Sequence, residues 1–427
     1  MKIIFVSILF IFISLSNTYS QWVEVTSPSI FTLFSISPID ENLVWTCASG
    51  NNIFRSTDGG NSWVNVGLSL PPPAGVMTCI YALDVNTAFV TLYAGNPNNA
   101  YVYKTTNGGQ NWNLIFTQSP GFITAINMKN ANIGFMVGWP QGGRWSLWKT
   151  SNGGTNWDST GLYIPETDQN VWSFENCLVY QGTNLWFGAR GKGVYYSTND
   201  GANWSLQNLS GAGFCYPSYI WFEDLTNGFT SAQLNLVKTS NSGANWLAIP
   251  GSNVASEVVR GIVSFNMTYI WQVRDITPNI YYSSNGGANW TIQHSTPSNT
   301  GYKQLTKSRN NDILWAITIG GEVERNDNPS SVSTISSEVP SKFMLFQNYP
   351  NPFNPATNIK FNIGKSSDVK IVVYDLIGRV VQILVDKRLQ VGTYEASFDG
   401  SSLTSGVYFY KLITDDFSET KKMVLIK

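Results

Sequence analysis

Ser56-Thr-Asp-Gly-Gly-Asn-Ser-Trp63 is the stretch on which the fold turns. Its pattern, Ser/Thr-x-Asp/Asn-x-Gly-x-x-Trp, recurs from Thr105 to Trp112, Thr150 to Trp157, Ser197 to Trp204, Thr239 to Trp246 and Ser283 to Trp290, at intervals of 42 to 49 residues. Each copy follows a β-rich run such as Asn52-Ile-Phe-Arg55 and precedes a short one such as Trp63-Val-Asn-Val66, which places it in a hairpin turn. Turn chemistry explains the spacing. The hydroxyl at the first position (Ser56, Thr105, Thr150, Ser197, Thr239, Ser283) and the carboxylate or amide at the third (Asp58, Asn107, Asn152, Asn199, Asn241, Asn285) bond turn backbone groups. Gly60, Gly109, Gly154, Gly201, Gly243 and Gly287 supply positive φ without steric cost. The tryptophans Trp63, Trp112, Trp157, Trp204, Trp246 and Trp290 enter the next strand and offer an apolar plate to a neighbouring sheet.

A repeat of this length with several short strands fits a four-stranded propeller blade. Second strands align as Leu43-Val-Trp-Thr-Cys47, Ala88-Phe-Val-Thr-Leu92, Leu185-Trp-Phe187, Tyr269-Ile-Trp271 and Ile313-Leu-Trp-Ala-Ile317. A further unit after Trp290 stops at Asn326-Asp-Asn-Pro329 without a closing tryptophan, while Gln21-Trp-Val-Glu-Val25 resembles Trp63-Val-Asn-Val66. The mature N-terminus is therefore expected to supply the outer strand of the last blade and to close a ring over residues 21–328. The fold class expected is all-β: a seven-bladed β-propeller, a hydroxyl-rich linker at 329–341, and a small Ig-like β-sandwich over 342–427.

Composition narrows the function. Only 12% of residues are charged, and 26 Lys+Arg against 27 Asp+Glu leave no basic surplus for nucleic acid. Met1-Lys2, the apolar run Ile3 to Ile13 and Thr18-Tyr19-Ser20 read as a signal peptide cleaved after Ser20, too short to span a bilayer. No later segment reads as transmembrane. The export route implies an oxidising compartment, in which Cys47, Cys79, Cys177 and Cys215 form two bridges by any of three pairings or stay as buried thiols. One histidine, His294, and four scattered cysteines give no metal spacing, and no cofactor is expected.

The octapeptide resembles the Asp-box of BNR-repeat proteins, and residues 21 to about 328 resemble that group of propellers, which includes sialidase-like members. Only Asp58 is an aspartate; the other five copies carry Asn at that place. In that group the box lies at an outer hairpin away from the ligand face, so the resemblance implies a structural role for it. The chain is also similar to box-containing propellers related to photosystem II assembly and stability factors, whose role is protein binding, although nothing else in it points to photosynthesis. At the other end, Asn348-Tyr-Pro-Asn-Pro-Phe-Asn-Pro355, Val373-Tyr-Asp-Leu-Ile-Gly-Arg379 and Ser405-Gly-Val-Tyr-Phe-Tyr-Lys411, closing on Lys422-Met-Val-Leu-Ile-Lys427, resemble the type A sorting domain of the type IX secretion system. That resemblance implies the type IX machinery as partner and delivery through the periplasm and outer membrane of a Gram-negative bacterium, with the product released or surface-attached.

Loops that follow the fourth strand and loops between the second and third share one propeller face. On that mapping the candidates for ligand contact are Trp139, Arg144, Trp145, Tyr163, Glu166, Asp168, Arg190, Lys192, Arg274 and Asp275. Aromatic plates with arginine suit a sugar or an acidic peptide. The reading is a secreted or surface binding protein for a glycan or protein ligand, without assigned catalytic residues. The alternative is a glycoside hydrolase of the sialidase or xyloglucanase-like type, drawing two carboxylates from Asp158, Glu166, Asp168, Glu175, Glu257 and Asp275. No spacing selects a pair, and the Phe/Tyr-Arg-Ile-Pro motif of sialidases is absent.

Overall fold

The computed structural model describes residues 22–28, 31–168, 170–209, 216–327, 332–336, 340, 342–389, 391–400 and 403–427. The expected signal peptide and Cys215 lie outside the described residues. Within them the chain is all strand, turn and loop, with no helix.

Five antiparallel sheets follow one another along the chain. The first contains Leu33–Pro38, Val44–Ala48, Asn52–Ser56 and Val64–Asn65, paired in that order. The second, fourth and fifth repeat the arrangement; the third has three strands, and bridges from Lys149 to Asp158 and from Arg144 to Pro165 continue it outward. A sixth sheet has eight strands. Its halves, Val259–Phe265 to Thr291–Ser295 and Tyr302–Lys307 to Val323–Asn326, meet at a single parallel pair, Gly261 with Leu305. The outermost position beyond Val323–Asn326 is taken by Val23–Val25 from the other end of the chain, with Val23 opposite Arg325 and Val25 opposite Val323.

Apolar residues on both faces of each sheet bind it to the sheets before and after. Trp45 and Ile53 of the first sheet pack with Met77, Ile80 and Val90 of the second. Further clusters link each sheet to the next. The last cluster joins Trp315, Ile317 and Val323 to Leu33, Ile36, Val44 and Phe54, so the end of the series packs on its beginning. Trp22 is 2% exposed, and its indole N–H donates to Gln293 Oε1 at 2.9 Å.

All six octapeptides form one turn. The first hydroxyl accepts the glycine N–H at 2.8 to 3.0 Å and donates to the Asp or Asn Oδ1, which in turn accepts an N–H four residues after its own. At the one aspartate, Asp58, the hydroxyl and N–H of Ser62 hold the carboxyl down to about 2. A basic residue just before the octapeptide reaches the next sheet's turn: Arg55 donates to the carbonyl of Gly108, Lys104 to Gly153 and Lys238 to Gly286. Arg325 makes the same contact across the join, donating to Gly59 at 2.7 Å. These contacts tie four pairs of neighbouring hairpins together.

One expectation is corrected, and for the three described cysteines one of the two alternatives is found. The segment 329–341 is not all linker, because Val332–Ser336 is a strand paired with Gly392–Asp399; its Val, Thr and Ile residues suit an edge strand despite the serines around them. Cys47, Cys79 and Cys177 are free and buried, and burial raises all three thiols above their ordinary value. Beyond this point two four-stranded sheets, Val332–Ser336/Gly392–Asp399/Ala356–Ile363/Met344–Leu345 and Val380–Leu389/Ser367–Tyr374/Gly406–Ile413/Ser418–Leu425, share a core that includes Phe361, Ile371, Tyr410 and Met423.

Gly109 tests the turn. Its φ is +87°, and a Cβ there would fall 2.5 Å from Val66 Cβ on the preceding sheet. Gly109→Ala is expected to cost about 1–3 kcal/mol in urea unfolding followed by tryptophan fluorescence. Gly142→Ala, at φ +61° with nothing within 4 Å, isolates the backbone term and should cost less.

Candidate functional site

Five first strands begin with an irregularity that decides where side chains point. The register skips one residue between Leu33 and Ser35, Met77 and Cys79, Ile123 and Ala125, Val259 and Gly261, and Tyr302 and Gln304. The extra residues are Phe34, Thr78, Thr124, Arg260 and Lys303. A β-bulge re-aims a side chain, and four of these five line one pit of about 200 Å³, together with Val76, Met77, Tyr93, Glu175 and Ser218. Thr124 is instead tied to Ser173 Oγ at 2.6 Å.

Charge in the pit is uneven. One guanidinium, that of Arg260, meets Asp275 Oδ2 at 3.3 Å and Glu175 Oε2 at 4.0 Å. Arg260 Nε and Asp275 Oδ1 are buried with no hydrogen-bond partner among the described residues. The Lys303 ammonium lies 5.9 Å over the Phe34 ring and makes no hydrogen bond or ion pair among the described residues. Burial, then the nearby Arg260, hold its proton below the ordinary lysine value. Here a cation without a direct ion pair faces a cavity whose nearby carboxylates, Glu175 and Asp275, are engaged by Arg260.

The opposite end of the same axis holds a wider cavity of about 460 Å³, separated from the pit by Asn176, Tyr219 and Gln304, which line both. Asn176 Nδ2 and the N–H of Ile36 both donate to Gln304 Oε1. The cations of this wider cavity are satisfied: Lys129 on Asp200, Lys307 on Asp312, and Arg309 on the Ala82 carbonyl and 4.6 Å over the Tyr81 ring. The smaller pit is therefore the stronger candidate for recognising an anion.

The residues singled out in the sequence divide into groups. Trp139 stacks on Phe122 with ring centroids 4.2 Å apart, Phe122 meets Tyr93, and Arg190 lies 3.9 Å over Trp172, which in turn meets Trp139. This ladder leads from the wall of the pit across the third and fourth sheets. Asp275 joins it at the pit through Arg260. Glu166 and Lys192 pair at 3.3 Å, and Glu166 Oε1 accepts the Asp168 N–H. Arg144 donates to Ser159 Oγ, and Tyr163 is 61% exposed; neither reaches the ladder through any ring contact. Trp145 and Arg274 do not meet solvent at all. Trp145 packs edge-on against Phe187 and Tyr195, and the Arg274 guanidinium is consumed by the carbonyls of Leu234, Glu257 and Ser252 and by Gln272 Oε1. The sequence reading missed Phe34, Arg260 and Lys303. Each is the second residue of a first strand, where a bulge visible only in the strand pairing redirects it.

Comparison with known proteins adds the following. Residues 347–427 match the family described as secretion system C-terminal sorting domain. Over 211 residues the chain is 24% identical to the photosystem II assembly lipoprotein Ycf48 of Synechococcus sp. (strain CC9902), covering 48% of this chain and 58% of that protein; it spans little more than half the length of that curated relative. Among solved structures it is similar to YCF48 bound to a D1 peptide (TM-score 0.55, 16% identity, 72% of this chain and 97% of that one). It is also similar to a streptogramin B lyase (TM-score 0.56, 13% identity, 71% and 96%) and to the GH74 xyloglucanase from Xanthomonas campestris (TM-score 0.55, 11% identity, 80% and 59%). These likenesses concern the fold alone.

Lys303 yields a prediction. Because its proton is held less firmly in the folded chain, the unfolded chain binds more protons between that depressed value and about 10.4, so stability rises with pH through that window and is lower beneath it. Lys303→Met should raise Tm at pH 7 and flatten its rise in the alkaline range; a lower Tm at pH 7 would contradict the desolvation account.

The C-terminal match and the propeller-like body together make this chain a propeller-fold protein that carries a type IX sorting domain and is exported by that route to the cell surface or the medium.

Proposed function

We propose that the chain is a secreted binding protein: a signal peptide, a seven-bladed propeller closed by its own N-terminal strand, and an Ig-like sorting module. Counting the eight-stranded sheet as two blades joined at Gly261 and Leu305 gives seven, and the uniform turns support the Asp-box assignment. The ligand is a glycan or protein carrying an acidic group. The observation that carries this is the Lys303 ammonium, aimed by a bulge into a pit and without a direct ion pair or hydrogen bond among the described residues, next to Arg260 with an unused Nε. The ladder of Trp139, Trp172 and Arg190 extends the contact surface on one side.

The hydrolase reading fares less well. Glu175 and Asp275 are the two carboxylates that converge, and a single guanidinium contacts both, which is the arrangement of an ion-pair cluster. Glu166 is buried under Lys192, and Asp158 is spent on its own turn with Thr160.

The test probes arrays of acidic and neutral glycans and peptides with the mature chain. Binding should be confined to carboxylate-bearing probes and fall roughly tenfold or more in Lys303→Met, the loss of one charge-assisted contact. Turnover of xyloglucan or fluorogenic glycosides, abolished by Glu175→Gln or Asp275→Asn, would overturn the binding reading in favour of hydrolysis.

A further inference from the structure

Recognition of an acid uses the charge of Lys303; its nitrogen is a separate resource. Three hydroxyls that line the pit are already spent on backbone carbonyls. Thr78 Oγ1 donates to Ile123 at 2.8 Å, Ser218 Oγ to Val259 at 2.7 Å and the Tyr219 hydroxyl to Leu305 at 3.0 Å. Lys303 Nζ is placed differently. The bulge between Tyr302 and Gln304 aims it inward, the Phe34 ring lies 5.9 Å beneath it, and no hydrogen bond or ion pair holds it among the described residues.

An amine attacks a carbonyl carbon only after it has given up a proton, so the surroundings decide whether this nitrogen can react. Phe34, Val76 and Met77 line the pit with apolar surface, and Arg260 is a second cation within it. Burial withholds water from the ammonium and Arg260 repels it, and both hold its proton below the ordinary lysine value. The opposing charges are the carboxylates of Glu175 and Asp275, and both are drawn to Arg260. Tyr93 is the remaining titratable neighbour on the wall.

Arg260 supplies the second half of a site. Asp275 holds it at 3.3 Å, while Glu175 stands off at 4.0 Å with 42% of its side chain exposed, and is the partner that a ligand carboxylate would displace. The pit is closed below by Asn176 and Gln304 and measures about 200 Å³, which suits a small molecule and not the interior of a chain.

We propose that the pit captures small 2-oxo acids, whose carboxylate pairs with Arg260 while the ketone condenses with Lys303 Nζ to form an imine. The inference rests on the reading of the pit as an acid-binding site. The nitrogen lone pair attacks the carbonyl carbon, the C–O π pair moves to oxygen, and a proton passes from nitrogen to that oxygen through water. The hydroxyl then leaves with a further proton as water while the nitrogen pair forms C=N. One amine and one ketone thus give one imine and one water, and nothing is oxidised or reduced.

The test treats the full chain with pyruvate and cyanoborohydride, which reduces an imine to a stable secondary amine, and maps the adducts by peptide mass spectrometry. Lys303 should be labelled faster than any exposed lysine, with a rate that levels off at lower pH. Lactate, which has the carboxylate without the ketone, should protect Lys303 alone. The ketone 2-butanone, which lacks the carboxylate, should label Lys303 roughly tenfold or more slowly, the scale of one charge-assisted contact. Arg260→Gln should bring pyruvate down to the butanone rate; if that variant melts lower than the wild type, protection by lactate in the unsubstituted chain decides on the same contact. Labelling of Lys303 no faster than that of exposed lysines overturns the proposal, and so does equal labelling by butanone. Calorimetry with lactate judges the acid-binding reading separately. Lactate bound without labelling by pyruvate removes the imine and leaves that reading, whereas a chain that binds neither acid removes both.

Discussion

The pairing of Val23–Val25 with Val323–Arg325 is the contact on which the rest of the body depends. A series of small sheets packed face to face has two raw ends, and each would expose an apolar face unless it met the other. Here they meet: Trp315, Ile317 and Val323 pack on Leu33, Ile36 and Val44, and Val25 lies against Gly60 of the first turn. Magnitudes show what holds the closing strand. Three residues bring few backbone hydrogen bonds, at about 1 kcal/mol net each. The buried indole of Trp22 outweighs them, since deleting a core aromatic costs about 3–5 kcal/mol.

Closure also makes the pit. Phe34 and Thr78 come from the first two sheets and Arg260 and Lys303 from the last, so they share a cavity only because the end of the chain is held against its beginning. A bulge near the start of each of the four strands that carry them then turns these side chains inward. Below them Asn176 and Gln304 close the axis with hydrogen bonds, leaving the pit blind. A stable ring thereby carries a destabilised lysine at its centre, the kind of local conflict that folds tolerate at functional positions.

Much of this was legible in the sequence, for reasons that differ by element. The octapeptide specifies a turn by local hydrogen bonds, so Ser56, Asp58 and Gly60 could be assigned without knowing what surrounds them. The outer strand was legible from Trp22 because an indole followed by alternating residues recurs after each turn. In the C-terminal domain apolar residues alternate along strands such as Gly406–Ile413, which is what made a sandwich legible there. The strand Val332–Ser336 was not legible, since composition there is dominated by serine and the pairing partner lies about sixty residues away. The site was less legible than the fold. Trp145 and Arg274 looked like loop residues by position, but alternation turns both into the core. Arg260 and Lys303 sit inside strands, and a bulge leaves no mark in a single sequence.

The account stands on the join between the two ends of the body, and backbone amide hydrogen exchange of the intact chain tests it most directly. Amides of Val23–Val25 and Val323–Arg325 should be protected together, and Trp22→Ala should release both segments while the second and third sheets stay protected. Unprotected exchange of Val23–Val25 in the unsubstituted chain, with Val323–Arg325 still protected, would contradict it.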